Sequence, residues 1–145
     1  MTDYPTERET LNDSLVRAFV DSFASRDAEL LGPYFTDDIS FENYGDSPVH
    51  GRSAVVNVWA GVFATFAEVR FETLSQAVNG DVVFAEQVHG LAFSGGSLAP
   101  IKNMAVYELR DGRIAAWRDY TNPNRARALL KAATSPTPER SNADV

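Results

Sequence analysis

The 145-residue chain has no cysteine, which excludes disulfides, thiolate metal sites and cysteine nucleophiles and agrees with a reducing compartment. It has only 2 histidines, His50 and His89, with no His-x-x-x-His spacing, so we expect no metal and no cofactor. Basic runs are missing too: 13 Lys and Arg stand against 20 Asp and Glu, and the net charge of −7 argues against a nucleic-acid partner. No segment approaches the roughly 18 apolar residues of a membrane span, and the start Met1-Thr-Asp-Tyr-Pro-Thr-Glu7 is not a cationic stretch leading into an apolar one. Neither a phosphate-binding glycine motif nor a Gly-x-Ser-x-Gly elbow occurs. We therefore expect a soluble, cytoplasmic protein that meets small molecules, with no nucleic acid and no membrane as partner.

What is present is a change of period. Thr6-Glu-Arg-Glu9 has the form of a helix capping box, and Leu11, Leu15, Ala18, Phe19 and Phe23 follow at helical spacing, predicting a helix that ends near Ser25. Asp27 can cap a short helix carrying Leu30, Leu31, Tyr34 and Phe35, bent by Gly32-Pro33. Ile39, Phe41 and Asn43 alternate as a brief strand, Gly45 to Gly51 reads as a loop, and Ser53 to Phe66 as a helix with Val55, Val58, Trp59, Val62, Phe63 and Phe66 on one face. After Ala67 the period drops to 2. Strands are predicted over Val69 to Val78, Val82 to Phe93 and Leu98 to Leu109, with a last one after the Arg110-Asp-Gly-Arg113 turn. Asn79-Gly80 and Asp111-Gly112 are hairpin signals of the type I′ kind, so these strands should form an antiparallel meander. A short helix through Leu130 follows Pro123.

This order defines an α+β fold, a curved antiparallel sheet with N-terminal helices over its concave face enclosing a pocket. We expect one domain over residues 1–133 and a disordered tail over 134–145, where prolines and polar residues dominate. Ile101, Asn103, Ala105 and Tyr107 share one strand face while Met104 and Val106 lie on the other. Apolar residues on both faces predict a homodimer through the outer sheet face.

Chemistry concentrates on the inner face. In Gly112-Arg-Ile-Ala-Ala-Trp-Arg-Asp-Tyr120, alternation sets Ala115, Trp117, Asp119 and Thr121 on one side and Ile114, Ala116, Arg118 and Tyr120 on the other, so a carboxylate shares a face with a tryptophan. A carboxylate there needs a structural partner or a chemical task. The strand Val83-Phe-Ala-Glu-Gln-Val-His-Gly-Leu91 aligns Ala85, Gln87, His89 and Leu91. If these faces coincide, Asn43, Gln87, His89, Asn103 and Asp119 converge in an aromatic-lined pocket. His89 can act as acid or base near neutrality, or can be a buried imidazole satisfied by a backbone carbonyl. Asp119 can orient His89, act as the base itself, or form an ion pair with Arg52, Arg113 or Arg118. Asn43, Gln87 and Asn103 can hold a water or polarise a carbonyl. Phe41, Trp59 and Trp117 are pocket wall or core, and Tyr34 and Tyr107 are possible hydrogen-bond donors to substrate.

Three segments carry a resemblance: Tyr34-Phe-Thr-Asp-Asp-Ile-Ser-Phe-Glu-Asn43, His50-Gly-Arg-Ser-Ala-Val55 and Asp111-Gly-Arg-Ile-Ala-Ala-Trp-Arg-Asp-Tyr120. With the order of elements, from about Thr10 to Leu130, they resemble the SnoaL-like and limonene-1,2-epoxide-hydrolase-like branch of the nuclear transport factor 2-like superfamily. The resemblance implies a cone-shaped sheet and a site in which an Asp-Arg-Asp set, with a Tyr and an Asn holding water, opens an epoxide. Asp119 matches the water-activating aspartate and Asn43 the water-positioning asparagine. The tyrosine position is Phe41, and Glu86-Gln-Val-His89 puts Gln87 at the bridging arginine and His89 at the proton-donating aspartate. With Asp119 and His89 as the catalytic pair and Asn43, Gln87, Asn103, Phe41, Trp117, Trp59 and Tyr34 as substrate-binding residues, we expect a cofactor-independent acid/base enzyme. Its substrate would be an apolar oxygenated small molecule, terpenoid-, polyketide- or steroid-like, processed by isomerisation, cyclisation or intramolecular ring opening. Epoxide hydrolysis and non-catalytic ligand binding are the alternatives.

Overall fold

A computed structural model of the chain describes residues 4–134. Helix α1 spans Glu7–Asp21, and Thr6 caps it as the sequence predicts: its side chain accepts from the Glu9 N–H while Glu9 Oε1 accepts from the Thr6 N–H at 2.9 Å. Two 3₁₀ turns, Ala28–Leu30 and Gly32–Tyr34, stand where a short helix is predicted. Gly32-Pro33 keeps them from joining. Strand β1 (Phe35–Asn43) starts earlier than expected, and a two-residue strand β2 (Val49–His50) lies in the predicted loop. Helix α2 covers Arg52–Thr65; strands β3 (Glu68–Asn79), β4 (Val82–Ala92), β5 (Ala99–Arg110) and β6 (Arg113–Thr121) follow, then helix α3 (Pro123–Thr134). Thr134, the last described residue, belongs to α3, and the expected tail from 135 onward lies outside the described residues.

The six strands form one sheet in the order β2-β1-β6-β5-β4-β3. The meander β3-β4-β5-β6 is antiparallel as predicted, but β1 joins β6 in parallel, so the sheet is mixed. The Asp111-Gly112 turn has positive φ at both residues, the type I′ signature. The other hairpin differs from expectation: Asn79 pairs with Val82, the loop is Gly80-Asp81, and only Gly80 has positive φ. That turn is clamped to α1, since Gly80 donates to Glu9 Oε2 and its carbonyl accepts from the buried Asn12 at 3.0 Å.

Irregularities in the ladder bend the sheet into a cone. Between Thr73 and Ser75 the β3 register shifts, turning Leu74 out to solvent. In β6 the register passes from Glu108↔Ala116 to Leu109↔Ile114, making Ala115 the extra residue. Extra residues raise local twist and curvature. The second shift also corrects strict alternation: Ile114 is buried in the same cluster as Trp117, not on the opposite face. Helices α1 and α2 cover the concave face, where Val16, Phe19, Phe23, Val55, Trp59 and Phe63 meet Val83, Ala85, Ala105, Tyr107 and Trp117. The convex face carries Phe84, Met104 and Tyr120, all more than a third exposed.

Candidate active site

Register brings the polar residues together. Gln87 lies opposite Asn103 across β4 and β5, Asn103 opposite Thr121 across β5 and β6, and Asn43 opposite Asp119 across β1 and β6. Alternation then sends Gln87, His89, Asn103 and Asp119 inward, each at least nine-tenths buried. Above them lies a cavity of about 360 Å³. Phe41, Trp59, Phe71 and Ile101 line it with His89 and Asp119, and α3 adds Ala126 and Leu130.

Asp119 has no cation partner among the described residues. None of the ion pairs among the described residues includes it: Arg52 pairs with Asp37, Arg118 with Glu108, and Arg113 is in none of them. The ion-pair alternative is therefore not the arrangement adopted. Instead Oδ1 accepts from Trp117 Nε1 at 2.9 Å and from Asn103 Nδ2 at 3.0 Å. Oδ2 accepts no hydrogen bond from any described residue. Burial pushes the carboxyl up from its usual value to about 6, and the Asn103 and Trp117 donors hold it from rising further. With two donors on Oδ1, a proton taken up by this group belongs on Oδ2.

His89 does not touch Asp119 by a hydrogen bond, contrary to the pairing expected from sequence. Asn103 stands between them. The imidazole Nε2 instead meets Gln87 Oε1 at 2.7 Å, a side-chain amide rather than a backbone carbonyl. Its ring stacks on Phe71 with centroids 3.7 Å apart and planes 4° from parallel, the two residues being cross-strand partners. Burial lowers the imidazolium to about 3, so the ring is neutral at physiological pH. Gln87 in turn donates to the Tyr107 hydroxyl at 3.1 Å, so Tyr107 anchors the network from below. Burial, and after it the Asp119 charge, raise the Tyr107 phenol and keep it protonated.

The other expected site residues divide. Phe41 and Trp59 form cavity wall, and Asn43 lines the cavity while remaining exposed, at its opening. Trp117 lies beneath that wall, 4.2 Å from Phe41 and 5.2 Å from Trp59 between ring centroids. Tyr34 is elsewhere: it is half-buried, packs on Phe19 at 5.4 Å and does not line the cavity. The Trp59 indole Nε1 is buried without an acceptor. Thr121 was visible only as a face-mate of Asp119, yet its hydroxyl orients Asn103 by donating to Oδ1 at 2.8 Å. Ala126 and Leu130 carried no sequence signal beyond helical spacing, since nothing local says which surface α3 will cover. Among the described residues no group of three or more His, Asp or Glu side chains gathers as a metal site.

Comparison with known proteins places the fold. Residues 16–117 match the family model of the SnoaL-like domain. The epoxide hydrolase EphG of Mycobacterium tuberculosis is 25% identical over 119 residues, covering 72% of this chain and 69% of that protein. The fold is shared with an LEH-like epoxide hydrolase of M. tuberculosis, at a TM-score of 0.77 and 22% identity over 86% of this chain and 92% of that one. It is also shared with SalBIII, an epoxide hydrolase/cyclase-like enzyme with a role in pyran ring formation in the polyether salinomycin. There the TM-score is 0.74 and identity 17%, over 83% and 97% of the two chains.

Proposed function

The chain belongs to the SnoaL-like domain family, and on that premise we propose that it is a cofactor-independent acid/base enzyme acting on an apolar oxygenated small molecule by isomerisation, cyclisation or intramolecular ring opening. One observation carries the reading: a buried carboxyl, raised to about 6 with no cation beside it, keeps one oxygen free in an apolar cavity. A group poised near the working pH exchanges protons efficiently in either direction. Asp119 Oδ2 takes a proton from the substrate and returns it to another atom. Trp117 and Asn103 hold Oδ1, so the carboxyl does not reorient between the two transfers.

His89 serves this scheme as a neutral hydrogen-bonding group, not as the acid that exchanges protons with Asp119. Gln87 stands where a bridging arginine would hold two carboxylates, and in the buried network of described residues Asp119 is the one carboxylate. Water addition to an epoxide has one observation in its favour: Asn43 lines the cavity opposite Asp119 in the strand ladder, and its side chain makes no hydrogen bond to any described residue. Turnover of terpene epoxides, hydroxy-epoxides and cyclic ketones in ¹⁸O-water separates the readings. Isomerisation and cyclisation leave the product unlabelled, whereas one solvent oxygen per product assigns hydrolysis. Turnover of none of them, with ligands binding unchanged, would favour a binding domain.

We also propose that a second copy of the chain covers the convex face. Phe84, Met104 and Tyr120 lie there beside half-buried Val106, with Tyr44 6.2 Å from Tyr120. Sedimentation equilibrium is expected to give twice the chain mass, and Met104→Glu to return the monomer; a wild-type monomer at tens of micromolar would end the proposal. No helix among the described residues is long and apolar enough to cross a membrane.

A further inference from the structure

In the hydrogen bonds behind the cavity each donor and acceptor is fixed by its neighbours. An indole N–H can only donate, and Trp117 donates to Asp119 Oδ1 at 2.9 Å. The same oxygen accepts from Asn103 Nδ2 at 3.0 Å, while Asn103 Oδ1 is occupied by the Thr121 hydroxyl at 2.8 Å. The second Asn103 N–H reaches Gln87 Oε1 at 3.5 Å, with His89 Nε2 3.4 Å away. Reversing the Gln87 amide would set its N–H₂ against this donor and against a ring nitrogen 2.7 Å distant, too close for two nitrogens but within the range of an N–H···O bond. Gln87 Oε1 accepts, so His89 Nε2 donates. A neutral imidazole has one N–H, and Nδ1 is left with a lone pair and no donor among the described residues. The ring lines the cavity and is held by its stack on Phe71.

We infer that His89 is held as the Nε2–H tautomer and offers Nδ1 to the cavity as a fixed hydrogen-bond acceptor, so that the site selects apolar molecules carrying a hydroxyl over equal-sized ones carrying only carbonyl or ether oxygen. This rests on the reading of the cavity as the substrate site. An O–H directed at Nδ1 forms a hydrogen bond, whereas a carbonyl oxygen in the same place opposes two lone pairs and leaves Nδ1 desolvated without a partner. His89 is thereby a specificity-determining residue. Its chemistry follows from the chain that ends at Trp117, through Asn103 and Gln87.

Two measurements test this. In ¹⁵N-histidine-labelled protein carrying His50→Gln, which leaves His89 as the single label, long-range ¹H–¹⁵N correlation is expected to show a neutral Nε2–H ring from pH 6 to 8. An Nδ1–H ring or an imidazolium there would overturn the inference. Menthol and menthone share one skeleton and differ in the hydroxyl. Calorimetry is expected to give menthol about tenfold tighter binding, the worth of one hydrogen bond. His89→Phe, which keeps a planar ring against Phe71, is expected to bring the two affinities within about twofold, by loss of that bond. Equal or tighter binding of menthone by wild type, or failure of both to bind, would overturn it. If the hydroxyl preference holds while Asp119→Asn leaves turnover intact, the acid/base reading fails and the recognition stands; dependence on Asp119 without the preference is the converse.

Discussion

Asp119→Asn is expected to lower turnover by about 10³-fold, within the usual contribution of a positioned proton-transfer group, while making the protein more stable at pH 8. The substitution is nearly isosteric, and an amide oxygen can still accept from Trp117 and Asn103, so the network survives. What disappears is the ionisable oxygen facing the cavity. The stability gain follows from linkage. Folding raises this carboxyl from 3.8 to about 6, so the folded protein binds the proton more tightly than the unfolded chain. The group's stabilising contribution is full below about pH 3.8 and is lost as pH rises through about 6, on the order of 3 kcal/mol for a buried group. Asparagine does not ionise and keeps that stability. Denaturant unfolding of both proteins should coincide near pH 4 and separate at pH 8, the variant higher. The wild-type rate should fall as pH drops through about 6, where Oδ2 becomes protonated. Equal stabilities at pH 8 would mean that the carboxylate has a compensating partner and is not the strained, proton-accepting group described above.

Phe23→Ala is expected to cost about 3–5 kcal/mol, the range for removing a buried aromatic ring. Phe23 is fully buried at the joint between α1 and the sheet. Its ring lies edge-on to Phe19 at 5.0 Å and to Trp59 at 4.9 Å, and stacks on Phe71 at 4.7 Å. It therefore backs two walls of the cavity, including the ring against which His89 rests. The turn after it is specific: Arg26 takes a positive φ of 55° and donates its N–H to the Phe23 carbonyl, which limits how far the backbone can close on the space left behind. The melting temperature should drop by about 10 °C for a chain of this size, read by calorimetry. Ligand affinity should fall in parallel, since Trp59 and Phe71 lose their support. A cost below about 1 kcal/mol would show that the helices close over the gap.

These outcomes depend on features of unequal visibility in the amino-acid order. Period-2 runs in β4, β5 and β6 identify Gln87, His89, Asn103 and Asp119 as inward-facing, and all four are buried. The capping box and the Asp111-Gly112 turn are equally local, made of residues within a few positions of one another. Ile114 is buried on the face opposite to the one strict alternation predicts, because one extra residue, Ala115, reverses alternation, and a bulge is set by the partner strand rather than by its own sequence. Tyr34 packs half-buried against the core and not on the cavity, since its spacing says nothing of the neighbour it will find in Phe19. The parallel pairing of β1 with β6 crosses most of the chain and left no local mark.

The sequence by itself determined which side chains share the inner face, that Asp119 lies on it beside Trp117, and that the surrounding wall is aromatic, because strand geometry ties facing to spacing. Only the tertiary structure decided what these groups do to one another. Cross-strand register put Asn103 between Asp119 and His89, gave Trp117 and Asn103 the same carboxylate oxygen, and buried both ionisable groups. Burial penalises the charged form of each, so the carboxyl rises and the imidazole falls, and the two do not form the pair expected from their shared face.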